Sequence, residues 1–561
     1  MKQPITFAYK NLVFGQGSTD AWGVYRLTMR SYPGLSLNGK REILGSLATL
    51  AQELEADFSL LRVSRPWTVG DYLRGVQAVA DPRHALQEQL GNYLEMHDRM
   101  LTGRGSRLPE VYVSVRLSPE SAGAPLGAQP LLAGIRRAVG LADPLAIGGR
   151  QLESLISEED KTMRRMTDVL DCDRATSLEI QWLIKRSYSR GVADPVLDAR
   201  FQPQALIVKD SGPQGGRYEP LRTDLLRLLD CPINVGARSL RVESEHGDSH
   251  QAFLYLGALP EEVVFPGRHA ELLFAPLEDL TFPVDAALTA RHVSNRDAVR
   301  LVRRRIIDAD YIYAEESHGD HGPSSSAVDR PSLARELEQY LTGGNRPPLL
   351  QSTVSFAVGA TTEEQLEDRV EQLRREFGAI SLHRPLGEQL PSFVGHLPAQ
   401  RSQVVGYQDY LTVEQFGAMV PIATHAVGSE VGPYIGHTVA GARQPVLFDV
   451  SEASRTSRAP TTLLVGTLGS GKTMCMELIM YQALLAGSTV CDIDPKGDHA
   501  LHLLPGVAER MEVIELSADR RYQGMLDPLR IAPAATCEDL AVNFLLGILP
   551  EPVAPEWQTE I

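Results

Sequence analysis

Apolar and polar residues alternate first at Gly23, Tyr25, Leu27 and Met29 against Val24, Arg26, Thr28 and Arg30, a two-residue period that predicts a strand. Ile43, Leu44, Leu47, Leu50, Ala51 and Leu54 then share one face at helical spacing. Phe58 to Val63 predicts a second strand. Val111, Val113, Val115 and Leu117, alternating with Tyr112, Ser114 and Arg116, predict a third of the half-buried kind. Leu152 to Arg190 reads as mainly helical and charged. The pattern recurs later. Val354, Phe356 and Val358 mark a strand, and Thr362 is placed to cap a helix whose Leu366, Val370, Leu373 and Phe377 share a face, with Gly378 at its end. Two such units hint at a duplicated architecture without a clean sequence repeat. Glu315 to Ser326 reads as a polar loop between them.

A third regime begins near Gly428. Gly428 to Asp449 predicts a hairpin. From Thr461 onward, short apolar runs flank a helix in the manner of a parallel βαβ sheet. Thr462–Val465 is the expected strand, Met474–Leu485 a helix apolar nearly all round and therefore buried, and Thr489–Asp494 the next strand. The expected fold class is multidomain α/β: a mixed α/β region over 1–265, a second α/β and helical region over 266–427, and a further α/β region with a parallel sheet over 428–561.

Composition adds limits. The 561 residues suit several domains, and no run is long and apolar enough for a membrane span. The N-terminus lacks the apolar core of a signal peptide, so a cytoplasmic protein is expected, with membrane attachment only through partners. The net charge of −16 argues against a general nucleic-acid binder, though a local basic pore stays open. Cys172, Cys231, Cys475, Cys491 and Cys537 form no C-x-x-C pair and read as reduced thiols.

The chemistry is concentrated in one segment. Gly466-Thr467-Leu468-Gly469-Ser470-Gly471-Lys472-Thr473 matches G-x-x-x-x-G-K-[ST] in full. In that pattern, glycines allow the backbone to bend around a phosphate, successive N–H groups converge on it, and the following helix adds its positive end. Lys472 is then the partner of the β- and γ-phosphates of ATP, and Thr473 the hydroxyl ligand of Mg²⁺. Asp494 and Asp498, in the turn Asp494-Pro-Lys-Gly-Asp498, form a candidate second acidic site facing the nucleotide or a substrate. The plainer alternative is a strand-to-helix turn.

Three elements in order, Gly466–Thr473, Asp494–Asp498 and Gly524-Met-Leu-Asp527-Pro528-Leu529, resemble the VirB4-like ATPases of conjugation and type IV secretion, within the FtsK/HerA superfamily of P-loop motors. Asp527 stands where that family commonly has Asn. The glycines Gly432, Gly436 and Gly441, leading into Pro445–Asp449, fit the same pattern. The resemblance covers roughly 428 to 561 and implies that this region is an incomplete RecA-like P-loop ATPase domain with a parallel sheet. It implies ATP hydrolysis coupled to substrate transfer or pilus biogenesis, a hexamer, inner-membrane secretion-complex subunits as partners, and a peripheral place at that membrane. The alternatives are a DNA translocase of the FtsK/HerA kind, and a non-catalytic assembly scaffold with a regulatory nucleotide site.

Hydrolysis also needs an acidic residue for Mg²⁺ and a group that orients water. No apolar strand ending in paired carboxylates follows Gly524–Leu529. The expectation is therefore a chain that stops within the ATPase domain and binds nucleotide without turning it over, the catalytic residues being unknown. Val490–Asp494 is a candidate Walker B only in a simpler, kinase-like P-loop fold. His318, Asp320 and His321 are a weak metal pattern in a loop. Arg296, Arg300, Arg303, Arg304 and Arg305 form a basic helical stretch, either a contact for a partner or nucleic acid or a solvated face with intrahelical pairs. Trp22 and Trp67 read as packing residues.

Overall fold

The computed structural model describes residues 4–15, 19–103, 105–118, 147–195, 197, 206–210, 217–220, 231–244, 246–259, 264–317, 324–439, 443–457, 459–515, 517 and 519–549. The chain divides into two compact units: Met1–Val79 with Leu94–Thr461, and Ala80–Tyr93 with Thr462–Ile561.

The first unit is mixed α/β and is built on one large antiparallel sheet. Its ten-strand path runs Phe7–Tyr9, Leu12–Phe14, Ala21–Leu27, Arg107–Arg116, Phe58–Pro66, Val284–Val293, Leu349–Ala360, Gly247–Leu256, Leu240–Ser244, Ile233–Val235. Three short strands join from the side: Cys172–Arg174 on Ala21–Leu27, Leu382–His383 on Gly247–Leu256, and Asp409–Leu411 on Leu349–Ala360.

This order contains a repeat. Ala21–Leu27, Phe58–Pro66 and Arg107–Arg116 lie first, third, second across the sheet. Gly247–Leu256, Val284–Val293 and Leu349–Ala360 lie in the same relation, reversed, so the halves meet where Phe58–Pro66 pairs with Val284–Val293. Each half continues alike. A helix follows the third strand (Gly149–Thr167 in one, Glu363–Phe377 in the other), and then a short strand returns to pair with the half's first strand. The duplication hinted at by the hydrophobic pattern is thus present in the connectivity.

Both faces of the sheet are covered. Leu60, Val113, Leu254, Leu288 and Phe356 belong to one core, and Leu61, Tyr112, Phe253, Ala287 and Ala357 to the other. Adjacent residues point to opposite faces, so a run such as Ser59-Leu-Leu-Arg-Val is buried continuously. This corrects the half-buried expectation for Val111–Leu117: Tyr112 and Ser114 are as buried as the valines between them, because helices lie on both sides. Each fully buried large side chain is worth about 1.5–3 kcal/mol relative to exposure.

The local signals hold where they were clearest. Ser36 caps the helix Leu37–Glu53, and Thr362 caps Glu363–Phe377 by accepting from Gln365 N at 3.2 Å, with Gly378 at the end. The helical stretch 152–190 is two helices, Gly149–Thr167 and Ser177–Ser187, split by the strand Cys172–Arg174. The hairpin is formed by Tyr434–His437 and Pro445–Leu447. The expected polar loop Glu315–Ser326 is helical at both of its ends. Glu315–Ser317 close the helix Asn295–Ser317, Ser325 opens Ser325–Thr342, and His318, Asp320 and His321 lie outside the described residues. Trp22 is buried with its indole N–H on Asp20, and Trp67 packs against Tyr72, both as packing residues.

The second unit departs most from expectation, and its RecA-like parallel sheet is not shown. Among the described residues Thr462–Val465 and Thr489–Asp494 have no strand partner, and the unit's regular elements are the start of the helix Gln87–Leu101 and the helices Lys472–Leu485, Pro528–Ile531 and Cys537–Ile548, with three single 3₁₀ turns. A strand exists only as one side of a hydrogen-bonded pair, and apolar character alone does not supply the other side. The helix Lys472–Leu485 is correspondingly only part-buried, with Tyr481, Gln482 and Leu485 enclosed. Residues from Ala80–Tyr93 cover that end. Gln482 Nε2 donates to Tyr93 Oη at 2.7 Å, Asp81 N donates to the Ala486 carbonyl at 2.9 Å, and the Tyr93 and Tyr481 rings meet edge-on at 6.0 Å.

Candidate functional site

The loop before Lys472–Leu485 has the shape its glycines permit. Gly469 and Gly471 sit at φ of 77° and 87°, where a side chain would be strained. Gly471 is the helix N-cap, and its carbonyl accepts the first helical bond, from Cys475 N at 2.9 Å. Between them the chain turns on Ser470 N donating to the Thr467 carbonyl at 3.2 Å. A Cβ at Gly466 would lie 2.4 Å from Ser470 Oγ, so the loop closes on itself there.

Lys472 reaches back across this turn. Its ammonium donates to the carbonyls of Gly466 at 2.9 Å and Thr467 at 2.8 Å. The Lys472 ammonium therefore lies over the loop, and the first turn of the helix that follows leaves N–H groups unpaired within the helix. Thr473 follows in that first turn and is exposed. Backbone donors, a helix N-terminus and one lysine form an arrangement suited to a phosphate chain, with the Thr473 hydroxyl available to a divalent cation. The expected residues from Gly466 to Thr473 are thus exposed except for Lys472, which is half-buried. They suit Mg-ATP by donor type and by the space the glycines leave.

The second acidic site is resolved into a turn. Asp494 accepts from Lys496 N at 3.0 Å and His499 N at 2.9 Å. These backbone donors, His499 first, hold its carboxyl below the ordinary range. His499 Nδ1 lies 2.8 Å from Asp492 Oδ2. That hydrogen bond, reinforced by the charges of Asp492, Asp494 and Asp498, raises the His499 pKa. Asp494, Asp498 and His499 bring one ligand atom each within 4.8 Å of one another, close enough for a cation to span. Both Asp494 oxygens are already engaged by the turn, however, so its first role is to hold the backbone. Sequence reasoning missed Asp492 and His499. The signal was the period-two spacing of Asp492 and Asp494 with a histidine directly after Asp498. Glu477, one turn into the P-loop helix, fixes the far end of the same segment by accepting from Ala500 N at 2.5 Å.

Asp527 acts as a helix cap. It accepts from Leu529 N at 3.0 Å ahead of Pro528 at the first helical position, a role Asn would also fill. The five arginines from Arg296 to Arg305 lie exposed on Asn295–Ser317. Arg300 pairs within its helix with Asp297 at 3.5 Å, and Arg303 pairs with Glu338 of the neighbouring helix at 2.7 Å. The described cysteines are all free, and no helix among the described residues is long and apolar enough to cross a membrane.

No curated protein matches the chain. Residues 444–551 match the family model of an AAA-like domain, which supports placing this segment in a P-loop ATPase family.

Proposed function

We propose that the loop Gly466–Thr473 binds the phosphates of ATP with Mg²⁺, and that the chain is a motor subunit of a VirB4-like conjugation or type IV secretion system. The observation that carries the proposal is the loop itself: two left-handed glycines, a helix beginning at Lys472, and the Lys472 ammonium drawn over the turn. The AAA-like match over the same residues supports it. Bound nucleotide exchanges the Gly466 and Thr467 carbonyls on Lys472 for phosphate oxygens. Thr473 supplies one Mg²⁺ ligand.

In this reading the chain works as a homo-oligomer, a hexamer by family resemblance. It acts at the inner face of the membrane through secretion-complex subunits, and the large sheet unit is the part available to dock on them. Hydrolysis further needs an acid for Mg²⁺ and a group that orients water, and the proposal assigns neither.

The test is titration with a fluorescent ATP analogue with and without Mg²⁺. Lys472→Ala is expected to weaken binding at least tenfold, and Thr473→Ala to remove the Mg²⁺ dependence. Undiminished affinity in Lys472→Ala would sink the nucleotide site. Loss of oligomers in Lys472→Ala with secretion intact would favour the scaffold reading over the motor.

A further inference from the structure

The first unit contains a cationic cavity of about 130 Å³ beneath the loop that follows Ser177–Ser187. Arg107, Arg186, Arg190 and Arg369 line it, against two carboxylates, Asp194 and Asp285. Asp285 is shared. Arg186 donates to its two oxygens at 2.9 and 2.7 Å, and Arg190 Nε donates at 2.7 Å. Asp194 takes two bonds from Arg107, at 2.9 and 3.2 Å. Arg369 has no carboxylate partner among the described residues: it donates to the Gly359 carbonyl and lies over the Phe282 ring at 5.2 Å. Among the described residues, four guanidiniums thus face two carboxylates, and two positive charges are left over.

The lining also holds unused polar atoms. Ser189 is buried, 7% exposed, and its hydroxyl has no hydrogen-bond partner among the described residues. Neither has Arg107 Nε. Both atoms are closed to solvent, so they lie behind the wall and do not face the open space. The wall is rigid. At Gly191 and Gly359 two backbones cross so closely that a Cβ on Gly191 would lie 2.1 Å from the Gly359 carbonyl carbon, and one on Gly359 would lie 2.4 Å from that of Arg190. Arg190 is held by Ser187, Gln251 and the His396 carbonyl besides Asp285.

We propose that this cavity binds a single phosphate-class dianion, either inorganic phosphate or the terminal phosphate of a monoester. The charge fits: a phosphate group carries about −1.5 to −2 near neutrality, matching the two uncompensated arginine charges. The size fits too. At roughly 30 Å³ per water, the space holds a few water-sized groups, which suits one tetrahedral oxyanion and excludes a nucleoside. The Arg369 guanidinium is the donor, with Arg107, Arg186 and Arg190 supplying field. This site is independent of the P-loop reading.

The test is calorimetric titration and thermal unfolding of the chain carrying Lys472→Ala, the variant expected to weaken phosphate binding at the P-loop. Inorganic phosphate forms one arm and glycerol 3-phosphate the other, each against chloride at equal ionic strength. Saturable one-site binding and a raised unfolding midpoint are expected. Arg369→Gln, at a half-buried position, should weaken binding at least tenfold while leaving the unfolding midpoint without phosphate unchanged. Ser189→Asp, which brings its own negative charge to the cavity wall, should abolish the response. Binding of the ester alone assigns an esterified ligand, and binding of inorganic phosphate assigns the free ion. A response no greater than chloride's, or one undiminished in Arg369→Gln, overturns the proposal.

Discussion

Ser59-Leu60-Leu61-Arg62-Val63 and Thr462-Leu463-Leu464-Val465 are almost the same sequence, yet they have opposite environments. The first is a central strand, paired on one side with Arg107–Arg116 and on the other with Val284–Val293, with Leu60 at 0% and Val63 at 3% exposure. The second has no strand partner among the described residues, and Leu463 and Val465 are each 82% exposed. Ile493, in the other expected strand of that unit, is 85% exposed. The contrast teaches that a strand is a property of a pair. The first unit carries its pairs within itself because its topology brings residues 230 apart into register. The P-loop beside Val465 needs no such partner, because its shape comes from glycines and the helix that follows.

The largest effect that could break this contrast lies at Asp285. Removing its carboxylate in Asp285→Ala leaves Arg186 and Arg190 buried without their counter-charge, and the expected cost is about 3–5 kcal/mol in denaturant unfolding of the first unit. A cost below about 1 kcal/mol would show that the interior is not held by this pairing. The pH dependence has a definite sign. Burial alone would push the Asp285 carboxyl up, but the two guanidiniums outweigh it and hold it well below the usual range. The stabilisation is therefore complete above about pH 4, the ordinary carboxylate value, and is lost only as pH falls below it toward the folded value.

The next test compares the two matched leucines directly. Leu60→Ala should cost about 2–5 kcal/mol, whereas Leu463→Ala should stay within about 0.5 kcal/mol. Equal costs would mean that Leu463 is covered in the folded protein, and the comparison would collapse. The smallest effect concerns His499. Its raised pKa means that any stabilisation it gives is present below its ordinary value of about 6.5 and fades as pH rises through the folded one. Asp492→Asn should bring the midpoint back toward 6.5 in an NMR titration. An unchanged midpoint would remove the Asp492 contact from the account of this turn.

By itself the sequence determined whatever depends on near neighbours. The cap Thr362, the helix faces Leu47–Leu54 and Leu366–Phe377, the hairpin before Asp449 and the P-loop glycines were all legible, because each is set by dihedral preference, spacing or a side chain reaching its own backbone. Only the tertiary structure decided which apolar runs became strands, that both faces of the sheet would be covered, and that the halves would meet at Phe58–Pro66 and Val284–Val293. It alone brought Arg186, Arg190 and Asp285 together, and packed Tyr93 on the P-loop helix. These features are contacts between residues about a hundred or more positions apart. Their free energy resides in pairing and burial that no local window of the chain contains.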